Sequence, residues 1–374
     1  MAEKKVTEKV LLALTAANGD RIERVREEMM MRGLDALIVS SIVNIRYLTG
    51  FTGSNAVLVI TKRSAVFLSD IRYMHQAQQE IQNCSRILIT KTGLYEEASR
   101  KKLLHASHKI GFESNQVTYA QYRTLRKLFP AASFASTSDI VEEVMVSKDD
   151  RELELIRRAV GISDHVFREI LSMVRPGVCE LDIAAEISFQ HKSLGAERDA
   201  FETIVASGER SALPHARASG KKIKHGELVT LDFGCVVGGY HSDITRTIVV
   251  GKANVRIRKM YDAVREAQQE AINTAKSGMW ARDLDAVARK SIVRRGFGNF
   301  FNHALGHGLG LHVHERPKVS HQSTERLRHG TVITIEPGVY IPGYGGVRIE
   351  DDVVVTDTGC VVLNEAPKEL IVVS

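Results

Sequence analysis

Hydrophobic and polar positions alternate in two rhythms through the first third of the chain. From Asp20, RIERVREEMMMRG places apolar groups at helical spacing and stops at Gly33, and the apolar LDALIVSS that follows reads as a buried strand. β-Branched runs at AVLVIT (56–61), AVFL (65–68), RILIT (86–90) and KIGFE (109–113) then alternate with the helical stretches RYMHQAQQEIQ and QYRTLRKLF. Residues 20 to about 140 therefore read as one α/β domain. A long helix begins within 146–174, with acids in its first turn, and RPG ends it. Beyond this junction the pattern predicts a helix over 180–194, strands near 202–206, 228–233 and 244–250, two helices between 255 and 295, and strands near 331–336 and 346–356. Two domains are expected, 1–145 as α/β and 146–374 as α+β with antiparallel strands and helices on one face, and 374 residues suffice for both.

Composition excludes more than it assigns. Hydrophobic residues at 44% and charged residues at 26% are those of a globular chain, with no fibrous or disordered bias. The net charge of +6 is dispersed, its densest clusters being the short runs at 100–102 and 221–224, so no nucleic-acid partner is expected. Cys84, Cys179, Cys235 and Cys360 stand far apart without a CxxC pair, which suits reduced thiols in a cytoplasmic protein. VLLALTAA (10–17) follows Glu3 and Glu8 and reads as a short amphipathic helix, not a secretion signal. No run reaches the roughly 18 to 20 apolar residues of a spanning helix, so no membrane partner is expected.

Candidate chemistry lies in the second half. Asp232 ends the apolar run LVTL and Asp243 heads ITRTIVV, with Gly238 and Gly239 marking a hairpin turn between them. Each acid alone reads first as a turn or cap residue, Asp243 having Arg246 as a salt-bridge partner. Downstream, TVITIEPGVY sets Glu336 directly after a strand, and GVRIEDDVVV sets Glu350 inside another. Burying an ionised carboxylate costs several kcal/mol or more unless it is paired or binds a metal. Arginines such as Arg348 could supply the charge, but one metal cluster accounts for four carboxylates more economically than four ion pairs.

In GHGLGLHVHE (306–315), glycines would let a histidine approach such a cluster. One imidazole and four carboxylates would balance two divalent cations, whose paired chemistry is hydrolytic. An oxygen-rich shell with one imidazole favours manganese over a thiolate-type zinc site. His303 and His307 have helical i, i+4 spacing, but the intervening glycines oppose a helix and there is no HExxH. His312 and His314 would share one face of a regular strand. A mononuclear zinc hydrolase built on these four histidines would leave the carboxylates unexplained.

At these residues the sequence resembles the pita-bread metallopeptidases: aminopeptidase P, prolidase and methionine aminopeptidase. The motifs are LDFGCVVGGYHSDITRT, HALGHGLGLHVHE, ITIEPGVY and GVRIEDD, in family order across most of 146–374. The resemblance implies a pita-bread catalytic domain with Asp232, Asp243, His307, Glu336 and Glu350 as ligands of two divalent ions, manganese first with cobalt, zinc or iron as alternatives, Asp243 and Glu350 bridging them. It implies His215 near the substrate amide, His314 on the scissile carbonyl or its oxyanion, His303 in the substrate pocket, Glu336 as proton shuttle and Arg348 as a partner that orients carboxylates. His312 stands where proline-specific relatives carry an acid, and a local hydrogen bond is expected of it. NIRYLTGFTGSNAVLVIT and FLSDIRYMHQAQQE resemble the N-terminal domain of the proline-specific branch, with Ile71 replacing a small residue. The expected activity is hydrolysis of the Xaa-Pro bond by a metal-activated hydroxide, releasing the residue before proline as aminopeptidase P does. Prolidase activity is the alternative, with Arg46, Arg316 or Arg326 as candidate holders of a dipeptide carboxylate, and a non-catalytic binding module is the remaining one. The resemblance further implies a proline-containing peptide as substrate and a cytoplasmic homodimer.

Overall fold

The computed structural model describes residues 21–81, 83–105 and 108–374, so Asp20 as a cap and the helix expected at 10–17 lie outside the described residues. The chain divides into two units between Met145 and Val146.

In the first unit a helix over 21–31 precedes a six-stranded sheet. Its order is Arg86–Thr90, Ala65–Asp70, Ala56–Thr61, Ala36–Val39, Lys109–Glu113 and Ser133–Thr137. The first two strands pair in parallel, as do the last three, and Ala56–Thr61 runs antiparallel to both neighbours. Ile38, Val57, Val59, Val66, Leu68 and Ile110 form its core with Leu125 and Phe129 from the helix side. The helices Ile42–Thr49, Leu94–Arg100 and Ile140–Met145 went unseen in the sequence, because each is too short for a helical period to declare itself.

The second unit opens with the helix Asp150–Ile170, capped by Asp149, whose side chain accepts from Arg151 N and Glu152 N while the Glu152 carboxylate accepts from Asp149 N. Two sheets follow. One orders Val372–Val373, Ile244–Val250, Leu228–Phe233 and Ile204–Ser207, and packs Val229, Leu231, Ile244 and Ile248 against Val166, Phe167, Ile183 and Ile187 of the helices Asp150–Ile170 and Glu180–Ser193. The other orders Glu315–Val319, Gly306–Gly308, Val332–Ile335, Asp351–Val355 and Cys360–Val362, and packs against Val255–Thr274 and Ala281–Arg294 through Met260, Val264, Leu284 and Ala288. A separate hairpin joins Gly338–Ile341 to Gly345–Arg348.

This division corrects the single strand expected near 346–356. Arg348 pairs with Gly338, whereas Asp351 pairs with Ile335 in another sheet, so the chain changes partners at Ile349 and Glu350. Glu350 lies at that crossing instead of inside a strand, and its N–H is given to Thr245 O at 3.1 Å. Among the described residues no helix is long and apolar enough to cross a membrane.

Candidate metal centre

The carboxylates gather because both sheets deliver them at strand ends. Asp232 is the penultimate residue of Leu228–Phe233, opposite Thr245, and Asp243 directly precedes Ile244–Val250. Gly238 and Gly239, at φ 60° and 87°, make the intervening turn. Glu336 and Glu350 stand one step beyond the paired residues Ile335 and Asp351 of the other sheet. The sheets are tied together here: Asp243 N donates to Asp352 Oδ2 (3.0 Å), and Thr245 Oγ1 donates to Glu350 Oε2 (2.5 Å).

His307 enters on the short strand Gly306–Gly308, and a Cβ on any of its three neighbouring glycines would strike a fixed or charged group. At Gly306 it would lie 2.1 Å from Thr334 O, at Gly308 2.2 Å from Arg316 O, and at Gly310 2.6 Å from the Glu315 carboxylate. His307 Nδ1 lies 3.0 Å from Gly308 O and therefore carries the proton it donates there, which leaves the Nε2 lone pair free. That lone pair faces Glu336 Oε1 at 3.4 Å and Asp243 Oδ2 at 3.8 Å. Burial pushes His307 down to about 4, so at neutral pH the imidazole carries no second proton to mediate among these acceptors. Donor atoms of Asp243, His307 and Glu350 lie within 4.8 Å of one another.

Asp232, Asp243 and Glu350 are buried. Burial raises Asp243 and Glu350 far above the usual carboxylate range, the neighbouring carboxylates adding to it, and lifts Glu336 to about 8. Arg348, itself buried, is paired with Asp232, yet Asp232 Oδ1 is buried without a partner. An orphaned carboxylate oxygen, an unprotonated imidazole nitrogen and neighbouring carboxylates converging on one space form an oxygen-rich donor set with one nitrogen, which fits divalent cations. Arg246, the partner first considered for Asp243, instead binds Asp351 at 2.6 Å, so the ion-pair account of Asp243 does not hold.

Around this cluster lie the other candidates. His314 packs its ring edge-on against His307, centroids 4.3 Å apart, and burial lowers its pKa. His215 is exposed on the loop after the short 3-10 helix Gly208–Ala212, in the neighbourhood of Asp232, His303 and His314. His303 Nδ1 donates to Ala304 O (2.7 Å), and its Nε2 accepts from Tyr340 OH (3.1 Å). Both ring nitrogens are thereby engaged within the chain, which makes His303 a wall of the site with no free donor. The extended strand expected at His312 and His314 is absent: residues 310–314 are a run of bends, with Gly310 N donating to His312 O and His312 N to Glu315. Arg316 is paired with Glu325 (2.7 Å), the exposed Arg326 stacks on Trp280 (3.9 Å), and Arg46 belongs to the first unit.

Residues 154–357 match metallopeptidase family M24, and residues 21–144 match the creatinase/prolidase N-terminal domain. The chain belongs to metallopeptidase family M24. A Xaa-Pro dipeptidase from Pyrococcus horikoshii is 37% identical over 94% of this chain and 99% of its own length. Among solved structures, a Xaa-Pro dipeptidase from Bacillus anthracis superposes with a TM-score of 0.92 at 40% identity, covering 95% of this chain and 99% of that one. An X-Pro aminopeptidase from Thermotoga maritima does so at 0.86 and 36%, covering 93% and 100%. Metallopeptidases of this family use divalent metals, and the fold is the creatinase-type N-terminal domain followed by the pita-bread catalytic domain.

Three residues of this M24 site escaped the sequence reading. Tyr340 OH accepts from Arg348 Nη1 at 2.8 Å while donating to His303, which continues a chain of contacts from Asp232 through Arg348. Thr245 bonds both Glu350 and Arg348 Nε (3.0 Å), and Thr334 Oγ1 bonds His307 N (3.1 Å) and Glu336 Oε1 (3.2 Å). A signal was present for the threonines: Thr245 follows Asp243 by two and Thr334 precedes Glu336 by two, the strand period that returns to the same face.

Proposed function

We propose that this enzyme hydrolyses the peptide bond between an N-terminal residue and proline, releasing that residue. The observation that carries the hydrolytic reading is the unprotonated Nε2 of His307 facing Asp243 and Glu336, an arrangement that calls for a cation. The names of the relatives support proline specificity. Divalent cations held by Asp232, Asp243, His307, Glu336 and Glu350 supply Lewis-acid polarisation and water activation at this place. Manganese is our choice among them, on the hard oxygen shell with a single imidazole.

The chain's own residues perform the remaining work. A bond to proline is a tertiary amide with no N–H, so the site reads the ring and the free amine. His215 contacts the amide side of the substrate, and His314, kept neutral by burial, donates its N–H to the carbonyl oxygen as charge builds there. Arg348 holds Asp232 in place, with Tyr340 and Thr245 fixing the guanidinium in turn. Glu336 passes a proton to the departing proline nitrogen, so that water adds as OH to the carbonyl carbon and H to the amine. The resemblance to the proline-specific branch also supports a cytoplasmic homodimer.

Dipeptidase activity is a second reading, favoured by the full-length relatives named Xaa-Pro dipeptidase. Rates on a Xaa-Pro dipeptide and on a longer peptide with the same first two residues decide between them. Cleavage of both supports the aminopeptidase, cleavage of the dipeptide alone supports the dipeptidase, and cleavage of neither by the metal-loaded enzyme refutes both. Elemental analysis and activity of Asp243→Ala test the dinuclear reading with Asp243 as a ligand, which full metal content with full activity would overturn.

A further inference from the structure

We propose that Glu180 is the positioning residue for His215, closing both ends of the loop that carries this histidine. The inference rests on the substrate contact assigned to His215 above. Glu180 is the first residue of the helix Glu180–Ser193 and is fully buried. Its Oε1 accepts from Ser207 N and Ser207 Oγ, both at 2.8 Å. Its Oε2 accepts from Arg210 Nε (3.0 Å), Ser219 N (3.2 Å) and Ser219 Oγ (2.7 Å). All five donors come from residues 207–219, so one buried carboxylate gathers the entry, the first turn and the exit of a single loop.

Inside that ring the chain is closed again, Leu213 N donating to Arg210 O (3.0 Å) and Ala216 N to Leu213 O (3.1 Å), with an Arg210 guanidinium nitrogen on Arg217 O. His215 is an exposed residue of this loop. The neighbouring Pro214 O accepts from Arg348 Nη1 at 3.3 Å, which joins the loop to the arginine that holds Asp232. The loop that carries His215 is thus tied to Glu180 and to Arg348, with Gly346 N donating to Ser211 Oγ (2.8 Å) as a further tie. A buried carboxylate needs its lone pairs matched, and all five donors to Glu180 come from this one loop, so losing either carboxylate oxygen removes the bonds that tie one end of it to the helix.

The test uses the full chain, with Glu180→Gln, His215→Ala and the double variant. In Glu180→Gln an amide NH2 replaces one acceptor oxygen and meets donors. With histidine labelled in its ring, the resonance lost in His215→Ala identifies His215. In Glu180→Gln that resonance should shift or broaden while those of His321 and His329 stay in place. On a Xaa-Pro peptide, kcat/KM should fall about tenfold for Glu180→Gln, and by less than about twofold when the same change is made in His215→Ala, because coupled residues are not additive. An unmoved His215 resonance, or the same loss in both backgrounds, overturns the proposal. Should Glu180→Gln fail to fold, Ser219→Ala, which deletes one hydroxyl donor, takes its place with the same expectations. Failure of the proposed function shows separately, as a wild-type chain that cleaves no Xaa-Pro peptide, and the ring resonance then decides the positioning by itself.

Discussion

Gly306→Ala should disable the centre without touching a ligand. The added Cβ would lie 2.1 Å from Thr334 O and 2.7 Å from Thr334 Oγ1, where ordinary contact begins near 3.4 Å, so the two strands must part by about an ångström. Thr334 cannot yield quietly, because its hydroxyl holds both His307 N and Glu336 Oε1. The substitution therefore moves two expected ligands in different directions. Overpacking of this kind costs about 1–3 kcal/mol of stability, and a displacement near 1 Å can lower turnover about a hundredfold. Bound metal at limiting free ion, kcat/KM and a urea unfolding curve are measured on the same preparation. Gly161→Ala is the control: Gly161 lies in the helix Asp150–Ile170 with nothing within 4 Å of its added Cβ, so this change should stabilise by about 0.5–1 kcal/mol and leave activity alone. Wild-type metal affinity and activity in Gly306→Ala would refute the claim that the glycines exist to let His307 approach.

Tyr340→Phe removes the hydroxyl between Arg348 and His303 and leaves a buried donor and a buried acceptor unmatched, so stability should fall by about 2 kcal/mol; an unchanged denaturation midpoint would show that these bonds are remade elsewhere. His241 governs part of the acid response. Its Nδ1 donates to Gly310 O (2.9 Å), and burial first, with Arg198 adding, holds its pKa to about 4 against 6.5 when exposed. The folded chain thus binds fewer protons than the unfolded one between these values. The resulting stability, about 3 kcal/mol, is present above pH 6.5 and lost as pH falls through about 4. Unfolding curves of His241→Gln between pH 7 and 4 should be correspondingly flatter than wild type, and parallel curves would count against this origin.

Much of the site was legible because carboxylates at strand ends conflict with the hydrophobic pattern around them. Asp232 and Asp243 follow and precede largely apolar and β-branched strand runs, and Glu336 closes one, so each announces a cost that something must offset. Glu350 was singled out by the same logic but misplaced, since GVRIEDDVVV shows no punctuation where the chain changes sheets. The fold showed the same limit. Long amphipathic helices such as Asp150–Ile170 declare their period, whereas Glu315–Val319, with a proline and three charged residues, is a strand only through its pairing to His307 and its neighbours. Tyr340 was hidden for a further reason: an aromatic residue in the strand Gly338–Ile341 reads as core, and only the position of Arg348 gives its hydroxyl a task.

The histidines pose a problem that the ligands do not. A ligand on a strand end inherits the rigidity of its sheet, but His215, His303 and His314 sit on connecting segments, where backbone freedom is greatest. Each of these segments is held from behind by an ion pair with at least one buried member. Glu180 and Arg210 gather the His215 loop. Asp285 binds Arg289, whose guanidinium donates to Phe301 O and His303 O, while Asp285 itself accepts from Leu305 N. Lys148 binds Glu315 at 2.8 Å, and Glu315 accepts from His312 N, two residues before His314. Buried ion pairs are poor sources of stability, since desolvation opposes most of their attraction. Their use here is geometric: a carboxylate offers several lone pairs and an arginine several donors, enough to fix more than one backbone group of an irregular segment at once. A hydrophobic replacement of equal volume could match the stability of any of the three pairs, but it could not hold the backbone N–H and C=O groups that set where each imidazole stands.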